Sequence, residues 1–110
     1  MIYELRTYRC VPGGIATLHQ LMEELAVPLF KKVGMTVVGC WTPEVGGDTN
    51  SLVYLVGYED MGAREKAWEA FYAAPEWTEE LPKYGKTFGG PIVASTDSMF
   101  LKPAGYSPLK

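Results

Sequence analysis

Polar and apolar residues alternate from the first few positions of the chain. In IYELRTYRC, residues 2–10, Tyr3, Leu5 and Thr7 fall on one side of an extended segment. Glu4, Arg6 and Tyr8 fall on the other. The pattern predicts a strand over residues 2–10. Val11-Pro12-Gly13-Gly14 then reads as a turn. The period changes next: Ile15, Leu18, Met22, Leu25, Leu29 and Val33 recur at three- and four-residue spacing, which predicts a long amphipathic helix over residues 14–33. Pro28 falls inside it and should kink it or end its regular part early, with Gly34 as the C-terminal cap.

Residues 35–43 read as a second strand containing Val37, Val38 and Trp41. The run 44–50, EVGGDTN, has the residues of a hairpin loop, and 51–59 forms the third strand. LVYLV within that strand is apolar on both sides, so both faces should be covered. Asp60 is placed to cap a second helix carrying Met61, Trp68, Phe71 and Tyr72. Pro75 interrupts that helix and can start another short one, and Leu81 and Phe88 continue the apolar content beyond it. Gly89-Gly90-Pro91 breaks the chain before a fourth strand over residues 92–101. This divides the chain into one folded domain, residues 1–102, and a tail or dimer-embracing arm, 103–110.

The order strand, helix, strand, strand, helix, strand predicts an α+β fold. In this ferredoxin-like βαββαβ arrangement a four-stranded antiparallel sheet has its helices on one face. Leu5 suits the helix side. Glu4, Arg6 and Tyr8, together with Tyr54, Val56 and Tyr58, are then expected on the bare side, where a second copy would cover them as a homodimer.

Composition narrows the partners. The net charge of −3 and the lack of a basic cluster beyond Lys31-Lys32 argue against nucleic acid, which needs a basic surface. No apolar run approaches a membrane span. The two cysteines, Cys10 and Cys40, are too few for a disulfide framework. The chain opens directly on a strand, so a cytoplasmic location without a signal peptide is expected.

YELRTYRCVPGG followed by a helix, then GCWTPEVGGDTNSLVYLVGYEDMGAREKAW and PEW, resembles the NIPSNAP domain over roughly residues 2–100. The resemblance implies a branch of the dimeric α+β-barrel superfamily, in which two such sheets enclose a cavity in each half. Relatives in that superfamily include cofactor-independent monooxygenases, isomerases, dehydratases and haem-degrading enzymes. The haem-degrading members use a histidine on the second helix, and residues 60–88 contain none, which argues against haem.

Candidate ligand-binding residues follow from type and position. Arg6 offers a planar fork to an anionic or carbonyl ligand, and Glu4 can hold it in place or act as a base. The same two side chains serve equally well as a structural ion pair. Tyr8, Trp41, Tyr54 and Tyr58 suit the walls of a pocket for a flat organic molecule, or alternatively a core and dimer interface. His19, the one histidine, borders the apolar stripe of the first helix. A single histidine cannot build a two- or three-histidine metal site within one chain, so neither a metal nor a cofactor is expected. The functional expectation is a small organic ligand, with metal-free oxygenation or isomerisation as the chemistry if the protein is an enzyme. The rival expectation is a dimeric interaction module without turnover.

Overall fold

The computed structural model describes residues 1–110. The strands are β1 (Ile2–Cys10), β2 (Thr36–Trp41), β3 (Ser51–Tyr58) and β4 (Val93–Leu101). They form one antiparallel sheet in the order β2-β3-β1-β4. This is the predicted ferredoxin-like sheet, with both crossovers passing over the same face.

The first crossover is one long helical rod in three parts. α1 (Ile15–Leu21) leads into a π-helical turn (Met22–Ala26), which leads into α2 (Val27–Lys32). Pro28 accounts for the middle part. A proline ring clashes with the carbonyl four residues before it, here that of Glu24. The π turn widens the backbone at that point, with the Val27 amide donating to the Met22 carbonyl, and the helix passes the proline without ending. The rod closes as expected at Gly34, whose φ is 93°. The Gly34 amide donates to the Lys31 carbonyl at 3.2 Å and the Met35 amide to the Phe30 carbonyl at 2.9 Å.

The second crossover holds α3 (Met61–Ala73) and α4 (Pro75–Phe88). The Asp60 side chain caps α3 by accepting from the Ala63 amide at 2.7 Å, and Pro75 starts α4 at its first position. Asn50, at the end of the hairpin loop, donates to the carbonyls of Cys10 and Val11 at 3.1 and 2.9 Å, tying that loop to the turn before α1.

Between helices and sheet lies a core of aromatic rings. Phe30 stacks on Tyr54 from the sheet and on Phe71 from α3, with ring centroids 5.7 and 4.9 Å apart, and meets Trp68 edge-on at 5.4 Å. Leu52, Tyr54, Val56 and Tyr58 of β3 are all buried under the helices. The cross-strand register puts Glu4, Arg6 and Tyr8 beside Val56, Tyr54 and Leu52, on that same covered face.

This reverses one expectation. Glu4, Arg6, Tyr8, Tyr54, Val56 and Tyr58 face the helices, and Leu5 faces away. Tyr54 stacking on Phe30 decides the matter, because period-two alternation then assigns every other residue of β3 and its neighbours. The outer face carries Leu5, Val53 and Leu55, half-buried, with Trp41, Met99 and Leu101 exposed. There the Tyr3 ring lies against Gly57, and the tail residues Pro103, Ser107 and Leu109 approach Tyr3 and Leu55. No helix is long and apolar enough to cross a membrane.

Candidate functional site

A buried carboxylate organises the covered face. Glu4 has no solvent exposure and receives five hydrogen bonds. Arg6 Nη1 donates to it at 3.0 Å from the same strand. The Tyr58 hydroxyl donates at 2.8 Å from β3, and Ser98 Oγ donates from β4. Arg64 of α3 completes the set with a two-pronged contact, Nε at 3.0 Å and Nη2 at 3.1 Å. A bare carboxylate in this position would be untenable; five donors make it stable in the ionised form. Burial opposes the charge, but the hydrogen bonds from Arg64, Ser98 and Tyr58 and the nearby Arg6 outweigh it. They hold the Glu4 carboxyl down at about 2.

Arg6 passes from this cluster to a second one. Its Nε donates to the Tyr54 hydroxyl at 2.7 Å and its Nη2 to the Tyr8 hydroxyl at 3.2 Å, and the two phenol oxygens are 2.7 Å apart. The guanidinium lies 4.6 Å from the centroid of the Trp68 ring, a cation–π contact. Burial opposes the Arg6 charge as well, but the surrounding oxygens of Tyr8, Tyr54 and Glu4 more than offset it, and the group stays cationic. Trp68 also donates through Nε1 to the Tyr58 hydroxyl at 2.9 Å.

Beside this network opens a cleft of about 560 Å3 between the sheet, α1 and α4. Arg6, Tyr8 and Thr96 form its polar end, while Leu18, Leu21, Trp77, Leu81 and Ile92 contribute its apolar walls. Fourteen residues line it, and Arg6 is the one among them with a charge. Its far wall is α4, which buries none of its own residues and ends at Gly89 in the left-handed conformation.

Five of the seven sequence-based candidates therefore converge. Arg6 and Tyr8 reach the cleft, and Glu4, Tyr54 and Tyr58 stand behind them. The other two lie elsewhere. His19 is exposed on α1, and Trp41 is half-exposed on the outer face, its ring over Gly39. The structure adds Arg64, Thr96, Trp77 and Tyr72, none of which the sequence had placed at the site, and it brings Ser98 of β4 onto Glu4 rather than to a sheet edge. Arg64 precedes Trp68 by one helical turn, so the apolar stripe of α3 carried a signal that Arg64 borders the core.

Comparisons with known proteins bear on the whole of this architecture. The chain is 29 % identical over 79 residues to human Protein NipSnap homolog 3B. That match covers 71 % of this chain and 31 % of the human protein, so the chain spans about a third of the relative's length. A crystal structure of an uncharacterized NIPSNAP domain protein from Burkholderia xenovorans superposes with a TM-score of 0.81 at 27 % identity, covering 98 % of this chain and 99 % of that one. An antibiotic biosynthesis monooxygenase superposes with a TM-score of 0.60 at 13 % identity, covering 94 % and 99 %, which is a likeness of fold. The family model described as NIPSNAP matches residues 3–108. Since that span takes in nearly the whole chain, with every member of the cluster around Glu4 and all but the first strand residue, this chain belongs to the NIPSNAP family.

Proposed function

We propose that the protein binds a small organic molecule in the cleft between the sheet, α1 and α4. The molecule has a flat apolar body and one polar group directed at Arg6 and Tyr8. The observation that carries this reading is the union of a volume of about 560 Å3 with a single charged residue at one end of otherwise apolar walls. Ligand sites typically fall at roughly 300–1,000 Å3, with few polar groups that set orientation. Arg6 and Tyr8 are the contacting residues; Glu4, Tyr54 and Tyr58 hold them in place. If turnover occurs, the chemistry such a site favours is proton transfer at a conjugated carbonyl compound, or its oxygenation by dioxygen, with Arg6 facing the negative charge that develops. Both cysteines are free, which accords with a reducing compartment such as the cytoplasm.

Thermal-shift screening with aromatic acids, hydroxyaromatics, flavins and haem tests the reading. A ligand present at a hundred times its Kd should stabilise the fold by about 2.7 kcal/mol. Leu81→Trp, on the α4 wall and away from the buried cluster, should fill the cleft and abolish that gain. A wild-type midpoint unmoved by the whole panel, or a shift that Leu81→Trp leaves intact, would count against the cleft.

A second reading, a dimeric assembly module without turnover, draws on the outer face. Leu5, Val53, Leu55 and Met99 give that face an apolar centre, and the Arg9–Asp97 ion pair lies at its edge. An apolar centre with a polar rim is the anatomy of a subunit interface. The occupant we infer is a second copy of this chain, with the 103–110 tail near the seam. Sedimentation should give a dimer at micromolar concentration, and Leu55→Glu with Met99→Glu should yield a folded monomer. A wild-type monomer under those conditions would remove this inference and leave the cleft untouched.

A further inference from the structure

We propose that the Tyr8 hydroxyl is the hydrogen-bond donor offered to the ligand, and that the group it receives is an oxyanion on a conjugated body, such as a phenolate or enolate. This rests on the cleft being a ligand site and specifies what the site recognises. The direction of the Tyr8 proton follows from counting donors and acceptors. The Tyr8 and Tyr54 oxygens are 2.7 Å apart, so one donates to the other. Arg6 donates to both, through Nε to Tyr54 and through Nη2 to Tyr8. If Tyr8 donated to Tyr54, the Tyr54 proton would have no acceptor, because its other neighbour is a guanidinium nitrogen that cannot accept. Tyr54 has no solvent exposure, so an orphaned proton there would carry the full desolvation penalty.

Tyr54 therefore donates to Tyr8. Burial supports this by pushing the Tyr54 phenol far above its ordinary range, so it keeps its proton. The Tyr8 oxygen then has both lone pairs occupied, by Tyr54 and by Arg6. Its own proton has no protein acceptor, and Tyr8 borders the cleft. The proton is thus presented to whatever occupies the cleft.

Charge points the same way. Arg6 and Arg64 share the single carboxylate Glu4, which leaves one positive charge uncompensated in the cluster. No carboxylate lines the cleft. A fixed donor beside a net positive charge, in an apolar recess, favours an oxygen that bears negative charge over a neutral one. Thr96, cross-strand neighbour of Tyr8, sits at the same end and can supply a further hydroxyl. The apolar walls then take the body of the molecule.

The test uses two probes of the same shape, 4-nitrophenol and 4-nitroanisole. The first can present an oxyanion; the second carries a methyl group in its place. Binding to the full chain is followed by tryptophan fluorescence, since Trp77 lines the cleft, and the ionisation of bound 4-nitrophenol by its own visible absorbance. At a pH just below the probe's own pKa, the wild-type protein should bind nitrophenol more tightly than nitroanisole and raise its ionised fraction. Tyr8→Phe should lose about ten- to a hundred-fold in nitrophenol affinity, as for a hydrogen bond to a charged group, while nitroanisole binding changes less than about two-fold. Tyr54→Phe, whose hydroxyl acts through Tyr8, should give a smaller loss of the same preference.

Three results would overturn the proposal. If the wild type prefers nitrophenol and Tyr8→Phe keeps that preference, Arg6 alone is the anchor; the cleft reading survives and this one does not. If the wild type binds both probes equally, the oxyanion is not what the site recognises, and that comparison needs no variant to fold. Failure of the wild type to bind either probe would also overturn the inference, while the cleft reading stands or falls by the wider thermal-shift panel and Leu81→Trp.

Discussion

Glu4→Gln is expected to destabilise the fold by about 3 kcal/mol at neutral pH, the lower end of what breaking a buried ion pair costs. Glutamine keeps the shape and can still accept hydrogen bonds, but it leaves Arg6 and Arg64 facing each other with no carboxylate between them. The lower end applies because the Arg64 side chain is 25 % exposed and can reach water.

The same variant should alter the acid limb of the stability curve. In the folded protein the Glu4 carboxyl is held down at about 2, against an ordinary value of 4.5. The unfolded chain therefore takes up this proton first as pH falls. The resulting stabilisation is complete above about 4.5 and is lost progressively as pH falls toward about 2. Its full size is about 3 kcal/mol, which matches the neutral-pH loss expected for the variant. Urea unfolding at pH 7, 4 and 3 should show the gap between wild type and Glu4→Gln narrowing as the pH drops. A gap independent of pH would mean that Glu4 does not act through its charge.

Phe30→Ala should be the most damaging change in the apolar core, at about 4 kcal/mol. Phe30 is 1 % exposed and lies between Tyr54, Phe71 and Trp68. It is where α2, α3 and the sheet meet, so its removal opens a cavity that no single element can close. A domain of this size has only about 5–15 kcal/mol of total stability. Phe30→Leu keeps most of the volume and should recover more than half of the loss. Phe30 also forms the wall behind the Tyr54 ring, which fixes the phenol that is hydrogen-bonded to Tyr8. Phe30→Ala should therefore weaken binding in the cleft by more than Phe30→Leu does, under conditions where both remain folded. A loss below about 1 kcal/mol in equilibrium unfolding would show that the ring stack is not what joins the three elements.

The elements of the fold were legible because each carries its own local signal. The 2–10 alternation, the 15–33 periodicity, Asp60 as a cap, Pro75 as a start and Gly34 as a stop depend on neighbours within one turn or one pleat. Pro28 was legible as a disturbance but not in its outcome, since a break and a π turn both relieve the same clash. For the site, Glu4, Arg6, Tyr8, Tyr54 and Tyr58 stood out as a group because alternation places them on common strand faces. His19 was a candidate from the edge of the helical stripe and Trp41 from strand alternation, and the structure puts both away from the cleft.

From the amino-acid order came the element boundaries, the βαββαβ sequence and the partition of each strand into two sets of side chains. Which set meets the helices came from tertiary structure. A row containing an acid and a base reads locally as a solvated or shared surface. It becomes an interior one when Arg64, 60 positions from Glu4, and Ser98, 94 positions away, are folded against it. The reason is physical: a strand's period specifies a relation among its own side chains, whereas burial of a charge depends on donors contributed by segments far along the chain.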